Sequence, residues 1–446
     1  MSVTTFCGDS VQQGVHVGIR NVSEGWPVDA ETKYRMASVS KGVVALACAR
    51  LVDDGVLAYD EAVDMYLGWE LVHPSAPELP VTVSDLLSHR SGLRDGSGYS
   101  GFLADTYAAG PNAPHIQELV NAEGDYFTGD MWGSGPPGTY FQYANVNYGV
   151  LATAMEAATD MRFDELMDSL VLQPLGISGS FNVGMLPDLG QIATLYRNLG
   201  GWTPQADNFT DTPPVAWDWS PYVPGTNGLA FAPQGGLRAS TEELARIASV
   251  WHDGTHNGTT LLSPTGVNAL HEAAWTFDGS NGNNYYGLFN SWSQGLHRAN
   301  VTSGDNFFGD GALFIGHAGE AYGLISDVYV EPNTGWGFAF ATNGAWDGYT
   351  FGTSSWYAVE EALHASLASD RAVCAAANSV GPIVVAPHQP LPNPLPAGAH
   401  LAPEWHGSRW FGLDGKEAVA GNRAPAIPGH YVAVALDGQL LRVILE

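Results

Sequence analysis

Ser38-Val39-Ser40-Lys41 is the stretch on which the reading of this 446-residue sequence turns. It places a hydroxyl and an amine three residues apart, at the start of an expected helix. Tyr34-Arg35-Met36-Ala37 before it reads as the end of an extended segment. Gly42-Val43-Val44-Ala45-Leu46-Ala47-Cys48-Ala49-Arg50-Leu51 after it is apolar with helical spacing and stops near Gly55. Residues i and i+3 share a helix face. A serine is inert until a base takes its proton. A lysine desolvated in an apolar pocket loses its charged form and can be that base. The chain has only three lysines, Lys33, Lys41 and Lys416, so a lysine here is no ordinary surface filler. S-x-x-K alone is short and common, and the reading depends on partners downstream.

A chain of 446 residues exceeds one small domain and fits a two-lobed domain, or two domains with a tail. No apolar run reaches the ~18 residues of a membrane span. The first residues, Met1-Ser2-Val3-Thr4-Thr5-Phe6-Cys7, lack a basic segment followed by an apolar one. The compartment stays open: cytoplasmic, or periplasmic or secreted with the signal removed. The net charge of −29, from 46 acidic and 17 basic residues, argues against nucleic acid and anionic membranes as partners. A small-molecule or peptide substrate is expected, with no cofactor and no metal; the oligomeric state is open. Cys48 reads as core. Cys7 and Cys374 can pair only if the chain ends meet, and the expectation is that they stay unpaired. His252 and His256 have metal-ligand spacing but lie in a Gly-rich turn. Asp278-Gly279-Ser280-Asn281-Gly282 opens like a calcium loop, but its twelfth position is Phe289 rather than Glu.

Residues 1–35 suggest strands. Residues 81–87 begin a helix with Thr82 as N-cap, and helical patterns dominate to about residue 190, notably 147–158 and 163–172. Residues 200–235, rich in Pro, Gly, Trp and Asn, read as long loops. A helix is expected over 241–250 with Ser240 as cap, and another over 354–368. Ile325-Ser326-Asp327-Val328-Tyr329-Val330 and Gly337-Phe338-Ala339-Phe340-Ala341 flank the turn Pro332-Asn333-Thr334-Gly335 as a hairpin. Pro387, Pro390, Pro392, Pro394 and Pro396 mark a linker, and Asp437-Gly438 joins a last strand pair. The expected class is α+β: an antiparallel sheet flanked by helices, an inserted mainly helical lobe, and a short C-terminal extension. The α/β lobe takes residues 1–80 and 230–374, the helical lobe 81–229, the extension 375–446. The cleft between lobes is the natural place for a site.

Two further motifs bear on Ser38 and Lys41. Tyr143-Ala144-Asn145 precedes a helix in the helical lobe. A tyrosine beside a lysine and a serine can shuttle a proton, and an asparagine amide can hold both the lysine and a substrate carbonyl. His317-Ala318-Gly319-Glu320 lies ahead of the strand at 324–330. The histidine can hydrogen-bond a substrate carboxylate or the tyrosine, and Gly319 lets a substrate backbone approach.

In order and spacing these three motifs resemble the serine β-lactamase and penicillin-binding-protein superfamily. The likeness is to its class C-like branch: class C β-lactamases, HxG-type D-alanyl-D-alanine carboxypeptidases, D-aminopeptidases and family VIII carboxylesterases. Residues 81–93 (VTVSDLLSHRSGL), Pro136-Pro137-Gly138 and Pro233-Gln234-Gly235-Gly236-Leu237 add to it. The resemblance spans roughly residues 15–370 and implies a β-lactamase/transpeptidase-like fold. It also implies that Ser38 is acylated with Lys41 as base. Tyr143 would then shuttle a proton to the leaving group, while Asn145, His317 and Gly319 bind substrate. The oxyanion hole would be the backbone N–H groups of Ser38 and Glu320.

The departures are informative. His-Ala-Gly replaces the Lys-Thr-Gly of most β-lactamases, removing the fixed cation for a lactam carboxylate. Glu320 replaces a small residue; its carboxylate either binds a substrate amine or, as preferred, points to solvent. The early nucleophile suggests that a leading helix and part of the first strand are shortened. No G-x-S-x-G elbow occurs. The expected activity is an amidase or peptidase on small amides, D-residues included. A carboxylesterase is the alternative, ahead of a β-lactamase or a non-catalytic binding protein of the same fold.

Overall fold

In a computed structural model, Leu324–Val330 and Trp336–Ala341 are buried along their whole length, because each face of their sheet is covered. Alternate residues divide between two cores. Val328, Val330, Ala339 and Ala341 join one, with the helix that follows Ser38. Ile325, Tyr329, Phe338 and Phe340 join the other, with Phe307, Trp356 and Leu367. The described residues are 1–345, 350–379, 408–412, 417–421, 429–434 and 440–445, with side chains described to residue 374. The linker prolines and Asp437-Gly438 lie outside them.

The main sheet has eight strands: β1 (Ser2–Cys7), β2 (Ser10–His16), β3 (Trp275–Thr276), β4 (Ser291–Trp292), β5 (His297–Ala299), β6 (Phe314–Ala321), β7 (Leu324–Val330) and β8 (Trp336–Ala341). Their order is β3-β4-β5-β6-β7-β8-β1-β2, and every pairing is antiparallel. The hairpin expected between β7 and β8 is present, with Val330 opposite Gly337. The helices that position the site are α1 (Val39–Asp53), α2 (Val83–Leu87), α3 (Val146–Thr159), α4 (Thr241–Asp253) and α5 (Ala358–Ser379). Thr82 with Asp85 and Ser240 with Glu243 form reciprocal capping boxes that start α2 and α4. The antiparallel sheet flanked by helices, with a mainly helical insert, is the expected class. Within the expected loop 200–235, Trp202–Ala206 forms a strand against Leu195–Asn198.

Two expectations are corrected. Helix α5 starts at Ala358, not 354, and runs to Ser379. Glu361 accepts hydrogen bonds from Ser354 N and Oγ, at 2.6 Å each, and holds that segment as a loop ahead of the helix. Cys7 and Cys374 are disulfide-bonded, with Cα atoms 5.8 Å apart. Helix α5 passes beside β1, where Thr5 Oγ1 donates to Asp370 Oδ2 at 3.4 Å, so Cys7 and Cys374 are brought together.

The chain divides into two compact units, Met1–Ala375 and Ala376–Glu446. In the second, Ser408–Gly412, Glu417–Gly421, Gly429–Val434 and Leu440–Leu445 form an antiparallel sheet. The last two include most of the expected strand pair. No helix among the described residues is long and apolar enough to cross a membrane.

Candidate active site

Ser38 is placed by a tight reversal. Tyr34–Arg35 pairs with Arg238–Ala239, Met36 N donates to Leu237 O at 2.8 Å, and Ala37 turns the chain at φ +45. A left-handed backbone is strained for a residue with a Cβ and is held here by the surrounding packing. Ser38 is the N-cap of α1, where the helix N-terminus favours developing negative charge. Every residue from 39 to 49 is buried, which puts Lys41 inside the protein.

Lys41 Nζ lies 2.9 Å from Ser38 Oγ, 2.8 Å from Asn145 Oδ1 and 2.7 Å from Gln234 O. It forms no ion pair among the described residues, whereas Lys33 is paired with Glu243 at 2.9 Å. Burial lowers the Lys41 pKa from 10.5 to about 7, against the opposing pull of Asp95. A neutral amine there keeps two N–H bonds, to Asn145 and Gln234, and turns its lone pair to Ser38. The asparagine is itself fixed. Asp95 Oδ2 accepts from Asn145 N at 2.9 Å and Nδ2 at 2.8 Å, and Asp95 Oδ1 accepts from Val146 N at 2.9 Å.

Tyr143 is half-buried, and Lys41 Nζ stands 4.9 Å from its ring centre. Its phenol is held protonated by burial, which outweighs the opposing hydrogen bond with Ser38. Phe289 stacks on the ring at 5.4 Å and His89 lies tilted against it at 4.4 Å. Tyr285 donates to Tyr143 O at 3.0 Å.

His317 is fully buried. Its Nδ1 lies 2.6 Å from Ala318 O, which can only accept, so Nδ1 carries the proton. Burial first, then Lys41, holds its pKa well below the ordinary value. The neutral ring therefore presents Nε2 as an acceptor, and this atom has no hydrogen-bond partner among the described residues. An acceptor at this position suits a donor on the substrate or the tyrosine hydroxyl better than a carboxylate.

Gly319 packs closely against the chain itself. A Cβ there would meet Ser326 Oγ at 2.5 Å, Met36 O at 2.7 Å and Ser38 N at 3.2 Å. Gly319 lets β6 approach the turn that leads into α1, which Ser326 Oγ pins by donating to Met36 O at 3.0 Å. Glu320 is exposed, and its carboxylate accepts the Tyr357 hydroxyl. Beside these residues β5 pairs with β6 only from Phe314 to Gly316, so that edge of β6 has no strand partner from His317 onward among the described residues.

The sequence reading missed Asp95, the Gln234 carbonyl and His89. Asp95 closely follows the quoted stretch 81–93, and the other two lie within quoted stretches. His252 Nδ1 and Pro332 O are 2.9 Å apart, and His256 Nδ1 lies 2.8 Å from Ser249 Oγ.

The described family Beta-lactamase matches residues 7–358. The chain belongs to this family. It is 29% identical over 161 residues to penicillin-binding protein 4* of Bacillus subtilis (strain 168), covering 36% of this chain and 33% of that one. It is 31% identical over 176 residues to esterase EstB of Burkholderia gladioli, covering 36% and 41%. The chain thus spans well under half the length of these two relatives. The D-amino acid amidase of Ochrobactrum anthropi SV3, solved with L-phenylalanine amide, shares the fold at TM-score 0.59 and 19% identity, over 83% of this chain and 93% of that one.

Proposed function

We propose that the protein hydrolyses small amides or peptides, D-residues included, through an acyl-enzyme on Ser38. The observation that carries the reading is a buried Lys41 with a pKa of about 7, held on Ser38 Oγ. Lys41 takes the Ser38 proton as Oγ attacks the carbonyl carbon. The backbone N–H groups of Ser38 and Glu320 hold the oxyanion, and Asn145 orients the acyl group. As the C–N bond breaks, Tyr143 gives its proton to the leaving nitrogen and regains one from the Lys41 ammonium. Water then attacks the acyl carbon, its proton passing to Lys41 and on to Ser38 Oγ as that bond breaks.

The protonated Tyr143 favours amides, because an amine leaves only when protonated, whereas an aryl oxide needs no acid. Likeness to an esterase supports the second reading, a carboxylesterase with the same residues. A neutral His317, with only an acceptor nitrogen left free, leaves a lactam carboxylate without a cation in the third motif, so slow lactam turnover is expected. Assays of D-amino-acid anilides and D-Ala-D-Ala peptides beside p-nitrophenyl esters separate the readings. Amide cleavage that vanishes in Ser38→Ala is expected. Fast ester turnover with no amide cleavage would leave the esterase reading standing alone.

A further inference from the structure

A cavity of about 530 Å³, within the size range of small-molecule pockets, is lined in part by Arg35, three residues before Ser38. Phe181, Trp217, Trp219 and Phe231 supply its apolar walls, and Arg35, Arg162 and Arg238 also reach it. Two of these cations are already satisfied. Arg238 gives Nε and a terminal nitrogen to the two oxygens of Asp207, at 3.0 and 2.7 Å. Arg162 binds Asp164 at 3.0 and 2.9 Å and Glu165 at 3.1 Å. Arg35 is different. Its Nε donates to Gly235 O at 3.3 Å, its guanidinium lies 5.0 Å from the Tyr322 ring centre, and it forms no ion pair among the described residues.

The anchor of the catalytic amine lies in the short stretch between two parts of the cavity wall, Ala230–Ala232 and Arg238. Gln234 O receives Lys41, Gln234 Nε2 donates to Tyr107 Oη at 3.3 Å, and Gly235 O receives Arg35. Arg35 also precedes Ser38 by three residues, a backbone span of at most ~11 Å. The guanidinium is thus carried on the segment that leads directly into Ser38 and faces the cavity.

We propose that Arg35 anchors a carboxylate at the far end of the substrate's acyl chain, the cavity taking the chain itself. This rests on the acyl-enzyme reading and names its substrate class: amides or esters of acids bearing a second, terminal carboxylate. A guanidinium suits this task because its paired N–H groups match the two carboxylate oxygens. The net charge of −29 opposes anions only at long range, since salt near 0.1 M screens exposed charges beyond ~10 Å.

The test compares kcat/KM for p-nitrophenyl butyrate and mono-p-nitrophenyl glutarate, whose acyl chains differ chiefly in the terminal carboxylate. The parent enzyme is expected to prefer the glutarate ester, less so at high salt. The ratio should fall about tenfold in Arg35→Gln and be largely kept in Arg35→Lys. If Arg35→Gln fails to fold, the Arg35→Lys ratio and the salt series decide. A parent preference for butyrate overturns the proposal, as does an equal loss on both esters, which marks Arg35 as a brace for Gly235 alone. If neither ester is cleaved and a fluorophosphonate does not label Ser38, the acyl-enzyme reading itself has failed and this inference falls with it.

Discussion

Asp95 Oδ2 accepts both N–H groups of Asn145, from the backbone at 2.9 Å and the side chain at 2.8 Å. The amide is thereby turned so that Oδ1 faces Lys41. Asp95 also raises the pKa of Lys41 against the effect of burial. In Asp95→Asn the amine should titrate lower, so the acid limb of kcat/KM moves to lower pH. The plateau should drop about tenfold as the amide loses its fixed orientation. Paired pH–rate profiles check both, and an acid limb that stays in place would put Asp95 outside the field of Lys41.

Lys41 ties activity and stability to pH in the same direction. Its pKa is about 7 in the fold against 10.5 for the ordinary side chain, so kcat/KM should rise through pH 7 as the amine becomes a base. Below pH 7 both folded and unfolded chains hold the proton, and the buried charge costs roughly 5 kcal/mol. Between about 7 and 10.5 only the unfolded chain holds it, so stability climbs with pH. Lys41→Met should be inactive yet roughly 2–4 kcal/mol more stable at pH 6, after loss of the lysine hydrogen bonds. The gap should narrow toward pH 10. Urea unfolding at several pH values measures this, and a variant less stable than the parent at pH 6 would contradict a costly buried ammonium.

Gly319→Ala forces a Cβ against one side chain and two backbone atoms. Overpacking of this kind costs roughly 1–3 kcal/mol, and here it also displaces Ser38 N. Thermal unfolding and the rate of fluorophosphonate labelling should both fall. Adding Ser326→Ala removes the 2.5 Å contact but not the one with Met36 O, so rescue should be partial. Normal labelling in the single variant would mean that β6 can step back freely.

The Cys7–Cys374 bond ties β1 to helix α5 across a sequence separation of 367 residues. A disulfide of this kind contributes roughly 2–5 kcal/mol, a shift of about 3–6 °C in Tm for a unit this large. Cys7→Ser is expected to show that loss by calorimetry, and reduction of the parent should reproduce it. An unchanged Tm in both would show that α5 is held by packing alone.

Much of the fold was legible because local rules encode it. Apolar periodicity gave α1 and the β7–β8 hairpin, and Thr82 and Ser240 announced α2 and α4 through side-chain caps. Ser38, Lys41, Tyr143 and Asn145 sit in short motifs whose residue types name their chemistry. What stayed hidden depends on tertiary contact. Asp95 lies in an irregular segment with no periodic pattern, and the Gln234 contribution is a carbonyl that any residue carries. The tautomer of His317 is set by Ala318 O, and the disulfide by where α5 packs. Gly319 was recognisable as a close-approach site, but only the fold shows that the approaching chain is the protein's own.

The contacts of Lys41 come from residues 38, 145 and 234, and residue 319 closes on the turn from another strand. In the unfolded chain the amine is protonated near neutral pH and Ser38 is an ordinary alcohol. On the proposed mechanism, reactivity therefore emerges only when four distant stretches have met. A newly made or damaged chain carries no loose nucleophile, and chemical capture of Ser38 doubles as a sensor of complete assembly.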